Sequence, residues 1–306
     1  MLNQRILNTL KFFDLQDTPL TLFELHKFLL GDKELLVQVI DSQHEVVGEI
    51  QSFSSKTKLF DVMISLQTEL LSQVEQKHGH YCLKGREKII EQRLENYFYG
   101  FKREKMIRRY LNFLNFIPFV RGVAIGGSQA LGQQKENSDI DLLIFTEKGF
   151  IWLARTLVSL YFQIFGVRRY KLKTKNRFCL NHYLARPKTV DREKNLYKAM
   201  EYARLRPVVG ERVVAEFQNN NFGWIRLFFP NFQAAETVYG APKVAQKFIE
   251  KLLTNRFGKW LENFLKRVEI SSIKQDRFTF ITSDELSFHP ESRHVQLLDK
   301  FFLDMK

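Results

Sequence analysis

Gly126-Gly127-Ser128, followed by Asp139-Ile140-Asp141, decides how this chain is read. The glycine pair follows the apolar run Phe119-Val120-Arg121-Gly122-Val123-Ala124-Ile125. The aspartates lead into a second run, Leu142-Leu143-Ile144-Phe145. Both runs have the length and the branched content of buried strands. The order is therefore strand, glycine turn, short helix, and a second strand that carries two acids. Asp139 and Asp141 are two apart, so on a strand they project from the same face. Gly126 and Gly127 allow the backbone to approach a ligand closely, and a helix beginning at Ser128 would offer free N–H groups to an anion. A pair of carboxylates suits a divalent cation such as Mg²⁺, which favours oxygen ligands and phosphate oxygens. Either element alone is common and usually structural. Together, on adjacent strands, they form a device for a triphosphate and its metal.

Composition fits a folded protein with a real core: 306 residues, 44% hydrophobic and 26% charged. The 29 phenylalanines point to core packing rather than base stacking. A net charge of +13 favours polyanionic partners, either nucleic acid or nucleotide phosphates. Cys82 and Cys179 each lie in an apolar run and outside any CxxC motif, which argues against a zinc site or a disulfide framework. The greasy segment Phe150–Val167 is interrupted by Arg155 and Gln163 and reads as a packed helix, not a membrane span. The first residues lead into an amphipathic pattern rather than a signal peptide, so a cytoplasmic protein is expected.

Working outward, the spacing of Leu2, Ile6, Leu10 and Phe13 predicts a first helix. Thr21 with Glu24 reads as a capping box opening a second helix through Leu30. A third helix is expected between Lys56 and Leu71, and a hairpin about Gly79 over Val74–Leu83. Three helices and a hairpin over residues 1–85 suggest a winged-helix-like module. Its third helix, with Lys56, Lys58 and Asp61, is not strongly basic, and the module is either a DNA reader or a structural contact element. Residues 86–117 read as one long connector helix ended by Pro118, with Lys102, Arg103, Lys105, Arg108 and Arg109 on a solvated or phosphate-tracking face. Residues 118–194 hold the two-aspartate unit, the densest basic run (168–177), and a third strand over 178–184. Residues 195–306 read as mostly helical, over 195–205 and 243–268, with a strand at 278–281 and a terminal helix. Ser283–Pro290 is either a turn with a capped helix or a substrate-facing element.

The run Gly126-Gly127-Ser128-Gln129-Ala130-Leu131-Gly132, continuing to Ser138-Asp139-Ile140-Asp141-Leu142, resembles the signature of the nucleotidyltransferase superfamily that includes DNA polymerase beta, closest in style to its minimal members. The whole arrangement also resembles uncharacterised bacterial proteins with a winged-helix-like region before such a domain. The resemblance implies an α+β fold, a mixed sheet flanked by helices. It implies Mg²⁺-dependent transfer of a nucleoside monophosphate from an NTP to a hydroxyl of nucleic acid, protein or a small molecule. Asp139 and Asp141 would be the catalytic metal ligands, and Gly126, Gly127 and Ser128 would hold the nucleotide. A third carboxylate on a neighbouring strand is also implied. The strand over 178–184 offers Asn181 and His182 instead, leaving Asp191, Glu193, Asp284 or Glu285 as other sources. The alternative is a catalytically weak or inactive nucleotide-binding protein that acts as a DNA-binding regulator through its N-terminal module.

Overall fold

The computed structural model describes residues 1–33, 40–41, 44–46, 54–131, 133–170, 173–185, 189–190, 193–234, 244–273, 279–288 and 293–304. The N-terminal segment runs α1 (Leu2–Asp14), β1 (Leu20–Thr21), α2 (Leu22–Lys27), α3 (Leu59–Gln67), β2 (Val74–Lys77) and β3 (His80–Leu83). The capping box of α2 forms as expected. Glu24 N–H donates to Thr21 Oγ1 at 3.3 Å, and Thr21 N–H donates to Glu24 Oε2 at 2.8 Å. α2 ends at Lys27, short of the predicted Leu30, although Leu29 and Leu30 are buried. The hairpin turns at His78 and Gly79, both at positive φ, the twist that suits two right-handed strands. β1 pairs antiparallel with β3, giving a three-stranded sheet in the order β1-β3-β2.

The long connector is α4 (Lys88–Leu111), continued by a 3₁₀ segment, Asn112–Phe116. Ile117 is extended, as the residue before Pro118 must be. Ile90 of this helix is buried, and Met106 and Tyr110 pack against the core. Phe98 and Phe101 are exposed, whereas Arg93, Gly100, Arg103 and Ile107 turn inward.

The main sheet has six strands in the order β7-β4-β5-β6-β9-β8. β4 (Val120–Ile125) runs antiparallel to β5 (Ile140–Thr146). β5 runs parallel to β6 (Phe178–Ala185), so the chain must cross over, and α5 (Ile151–Ile164) makes the crossing. Beyond β6 come α6 (Leu196–Ala203), β7 (Arg206–Val209), α7 (Glu211–Asn220), α8 (Phe222–Phe228), α9 (Val244–Leu253), α10 (Arg256–Ser272), β8 (Thr279–Ile281), β9 (Glu285–Phe288) and α11 (Arg293–Leu303). The last third of the chain thus adds three strands to the sheet as well as its helices. β7, with Pro207, is an edge strand, where a missing N–H is tolerated. Residues 285–288, read from sequence as a turn or substrate element, form β9 beside β6.

Each sheet face carries its own core. On one face Ile144, Val123 and Tyr183 pack with Trp152, Val158 and Phe162 of α5, Ile107 and Leu111 of α4, and Leu261 and Leu265 of α10. On the other, Ala124, Leu143 and Phe145 join α6, α7 and α8. This second core is continuous with the N-terminal segment: Phe12 meets Phe301 of α11 edge-on at 5.2 Å, and Phe28 meets Phe229 at 5.6 Å. With both faces covered, β4 and β5 must be apolar along their length, which is why they read as continuous hydrophobic runs. Among the described residues no helix is long and apolar enough to cross a membrane. Trp152, Ala154 and Phe162 of α5 are buried in protein.

Candidate active site

β5 is buried at every position but one, Asp141. Asp139 stands just before the strand, and both acids line one cleft of ≈ 550 Å³ with Gly126 and Gly127. That volume suits a nucleotide-sized ligand. The turn is built tightly around the carboxylate. Gly126 N–H donates to the Asp141 carbonyl at 3.0 Å, and Gly127 adopts φ +59° against the Asp141 side chain. A Cβ on Gly127 would sit 3.3 Å from Asp141 Cγ and overlap its Oδ2, so the position needs glycine twice over. Ser128 opens a single 3₁₀ turn, Ser128–Leu131, rather than an α-helix, and is not among the residues lining the cleft.

The loop that delivers Asp139 is held from α4. Arg103, almost fully buried, donates to Gln134 Oε1 (2.6 Å), the Lys135 carbonyl (3.0 Å), the Glu136 carbonyl, and Asn176 Oδ1 (2.6 Å). Gln134 in turn donates to the Asp139 carbonyl at 3.0 Å. Arg93, one of the largest buried side chains, bonds the Pro19 carbonyl, Glu24 and the Leu131 carbonyl, tying the N-terminal segment to the end of the glycine turn. Two of the basic residues on the connector are therefore internal clamps. Of the cluster expected on a solvated or phosphate-tracking face, Arg103 belongs to the interior.

The opposite wall is α6. Asn195 caps it, accepting from Lys198 N–H at 3.0 Å. Leu196, Ala199, Met200 and Ala203 face the core at helical spacing, leaving Tyr197, Lys198, Glu201 and Tyr202 toward the cleft. Lys198 is buried and pairs with Glu201 at 2.9 Å and Glu193 at 4.0 Å. Burial opposes its charge, but Glu201, then Tyr202 and Glu193, outweigh it and raise its pKa.

No Asp or Glu completes the aspartate pair from the third strand. The residue that β6 brings to it is Cys179, in register with Asp141, and the ligand atoms of Asp139, Asp141 and Cys179 lie within 4.8 Å of one another. Burial, then the two aspartates, push the Cys179 thiol well up, so it stays protonated; it donates to Asn181 Oδ1 at 2.6 Å. Arg169, from the basic run, donates to Asp139 Oδ2 at 2.7 Å and to Cys179 Sγ at 3.3 Å. His182 lines the cleft and lies 3.5 Å from Glu285 of β9. Of the other acids considered from sequence, Glu193 holds Lys198 and Asp191 lies outside the described residues. Asp284 accepts Ala185 N–H through its carbonyl. Sequence reasoning missed Glu201; the helical phase of 196–203, once fixed by Leu196, Ala199 and Met200, places it with Tyr197.

Desolvation first, then Asp139 and Glu201, push the Asp141 carboxyl up to about 7, against the pull of Arg169 and Arg204. Glu201, followed by burial, pushes Tyr197 up to about 12. Asp139 and Asp141 supply hard oxygen ligands, and a protonated Cys179 is no competitor for Mg²⁺, so the donor set fits that ion with phosphate oxygens filling its remaining positions.

The glycine turn and the two aspartates thus line one cleft of nucleotide size. Residues 105–202 match the family model of the nucleotidyltransferase domain, which supports the superfamily to which residues 126–142 point and a transferase activity in general. No curated protein and no solved structure matches the chain.

Proposed function

We propose that this protein is an Mg²⁺-dependent nucleotidyltransferase that moves a nucleoside monophosphate from an NTP to a hydroxyl acceptor. The observation that carries the reading is the meeting of Gly126–Gly127 with Asp139 and Asp141 in one cleft. Asp139 and Asp141 would hold Mg²⁺, which supplies neutralisation of charge on the phosphates. Gly126 leaves the backbone open to the triphosphate, and Gly127 leaves room for the Asp141 carboxylate beside it. The acceptor oxygen attacks the α-phosphorus, a new P–O bond forms, the bond to the α,β-bridging oxygen breaks, and pyrophosphate leaves. The hydroxyl proton passes to a base of the cleft, whose lining includes His182 and Glu201. The test is transfer of label from α-labelled NTPs to cell-extract acceptors. Wild type should transfer, and Asp139→Ala and Asp141→Ala should not; equal labelling in all three refutes the reading.

A second reading rests on the element order of the N-terminal segment, α1-β1-α2-α3-β2-β3, which supports the winged-helix-like expectation and with it a DNA-binding regulator. Because this segment shares a core with the sheet, deleting it would disturb the whole fold. Charge reversal of the exposed Lys56 and Lys58 is the cleaner test. Salt-sensitive binding to duplex DNA that is lost in Lys56→Glu/Lys58→Glu and kept in Asp139→Ala supports this reading; binding unaffected by the lysines removes it.

A further inference from the structure

The densest basic run of the chain sends Arg169 into the cleft, and its side chain goes to an acid. Arg169 donates through one nitrogen, Nη1, to Asp139 Oδ2 at 2.7 Å and to Cys179 Sγ at 3.3 Å. It therefore stands against two of the three groups whose ligand atoms cluster within 4.8 Å. Its backbone is fixed there, with Arg169 N–H donating to the Phe178 carbonyl at 2.9 Å beside the start of β6. Its side chain remains about one-third exposed, at 36%, so it has a path to swing along the cleft.

We propose that Arg169 is the resident cation of the site, which holds Asp139 when no metal is bound and turns to the triphosphate when metal and nucleotide arrive. This rests on the reading of Asp139 and Asp141 as metal ligands. The argument is one of charge. Arg169 offsets part of the negative charge of the aspartates at the oxygen where a divalent ion would bind. Without nucleotide, ion and guanidinium contend for the same Asp139 oxygen and each weakens the other. With nucleotide, the triphosphate offers the displaced guanidinium a new anionic partner, and a guanidinium fork suits phosphate oxygens. Arg169 is then a binding residue with two opposite effects, and no purely structural ion pair has both.

The test uses the full chain. Mn²⁺ alone is titrated calorimetrically into wild type, Arg169→Ala and Arg169→Lys, and the α,β-methylene analogues of ATP, GTP, CTP and UTP follow in the presence of Mg²⁺. The expected result is that Arg169→Ala binds Mn²⁺ about tenfold more tightly and the preferred triphosphate about tenfold more weakly, the scale of one charge-assisted hydrogen bond. Arg169→Lys should shift both constants in the same directions by less, and it carries the test should the alanine variant not fold. Absence of either shift in a protein that binds both ligands overturns the role of Arg169 and leaves the two-aspartate reading standing. No binding of Mn²⁺ or triphosphate by any of the three proteins overturns both.

Discussion

Replacing Gly127 with alanine probes the closest approach in the cleft. Gly127 sits at φ +59°, where an L side chain costs about 1–2 kcal/mol. The new Cβ would overlap Asp141 Oδ2 and lie 3.3 Å from Cγ, so the carboxylate must rotate away from the turn. The first cost is paid whatever residue 141 is, and the second depends on the carboxylate. In an Asp141→Ala background the residual contact is with Cβ, 3.5 Å away, an ordinary van der Waals distance. A double-mutant cycle therefore separates the two costs. Thermal melts in EDTA should show Gly127→Ala lowering Tm by roughly 2–4 °C through backbone strain alone, and by more in the wild-type background. Mn²⁺ affinity should fall at least about tenfold, since one of two ligands is displaced. An unchanged Tm, or a cost identical in both backgrounds, would refute the contact between Gly127 and Asp141.

Asp141 makes a prediction of its own. With its carboxyl raised from 3.8 to about 7 in the fold, the folded state resists ionising it, so metal-free stability falls as pH rises from about 4 through 7. Asp141→Asn should be more stable than wild type at pH 8, by about 2 kcal/mol after allowing for solvent reaching the carboxylate, with the gap closing near pH 4 in melts recorded across pH. Arg103→Ala should destabilise the protein by about 3 kcal/mol in urea melts, because it strands buried carbonyls of the loop before Asp139; Arg103→Lys should recover little, lacking the fork. Glu201→Gln should lower the pH at which Mn²⁺ binding is half-maximal, since Glu201 is among the charges that raise Asp141; an unmoved midpoint would remove Glu201 from the site.

The two central strands, their turn and their acids were legible because three local signals agreed there. The runs 119–125 and 142–145 are too apolar for a one-sided strand, the glycines mark the turn, and Asp141 is the one charge in a buried strand. The Thr21–Glu24 box and the Gly79 hairpin were legible for the same reason, since each is a contact between near neighbours. What sequence did not carry is partnership at long range. Helix α4 buries Arg93 and Arg103 beside Ile90, Ile107 and Leu111, because the carbonyls those arginines bind come from residues 19, 131, 135 and 136. β7 and β9 are short and need β4 and β6 to be strands at all. The third acid was sought on the third strand, where Cys179 stands in register, while the acid facing the cleft comes from α6. The helical phase of 196–203 groups Glu201 with Tyr197, but that this face meets the aspartates depends on how α6 packs against the core, which is a long-range matter.

The account stands most directly on where the label goes. Purified protein with Mg²⁺ and an acceptor-containing extract should transfer label from α-labelled NTP and release labelled pyrophosphate from γ-labelled NTP, with both signals lost in Asp139→Ala and Asp141→Ala. Label passing to the acceptor from the γ-phosphate, or transfer that survives loss of both aspartates, would contradict it.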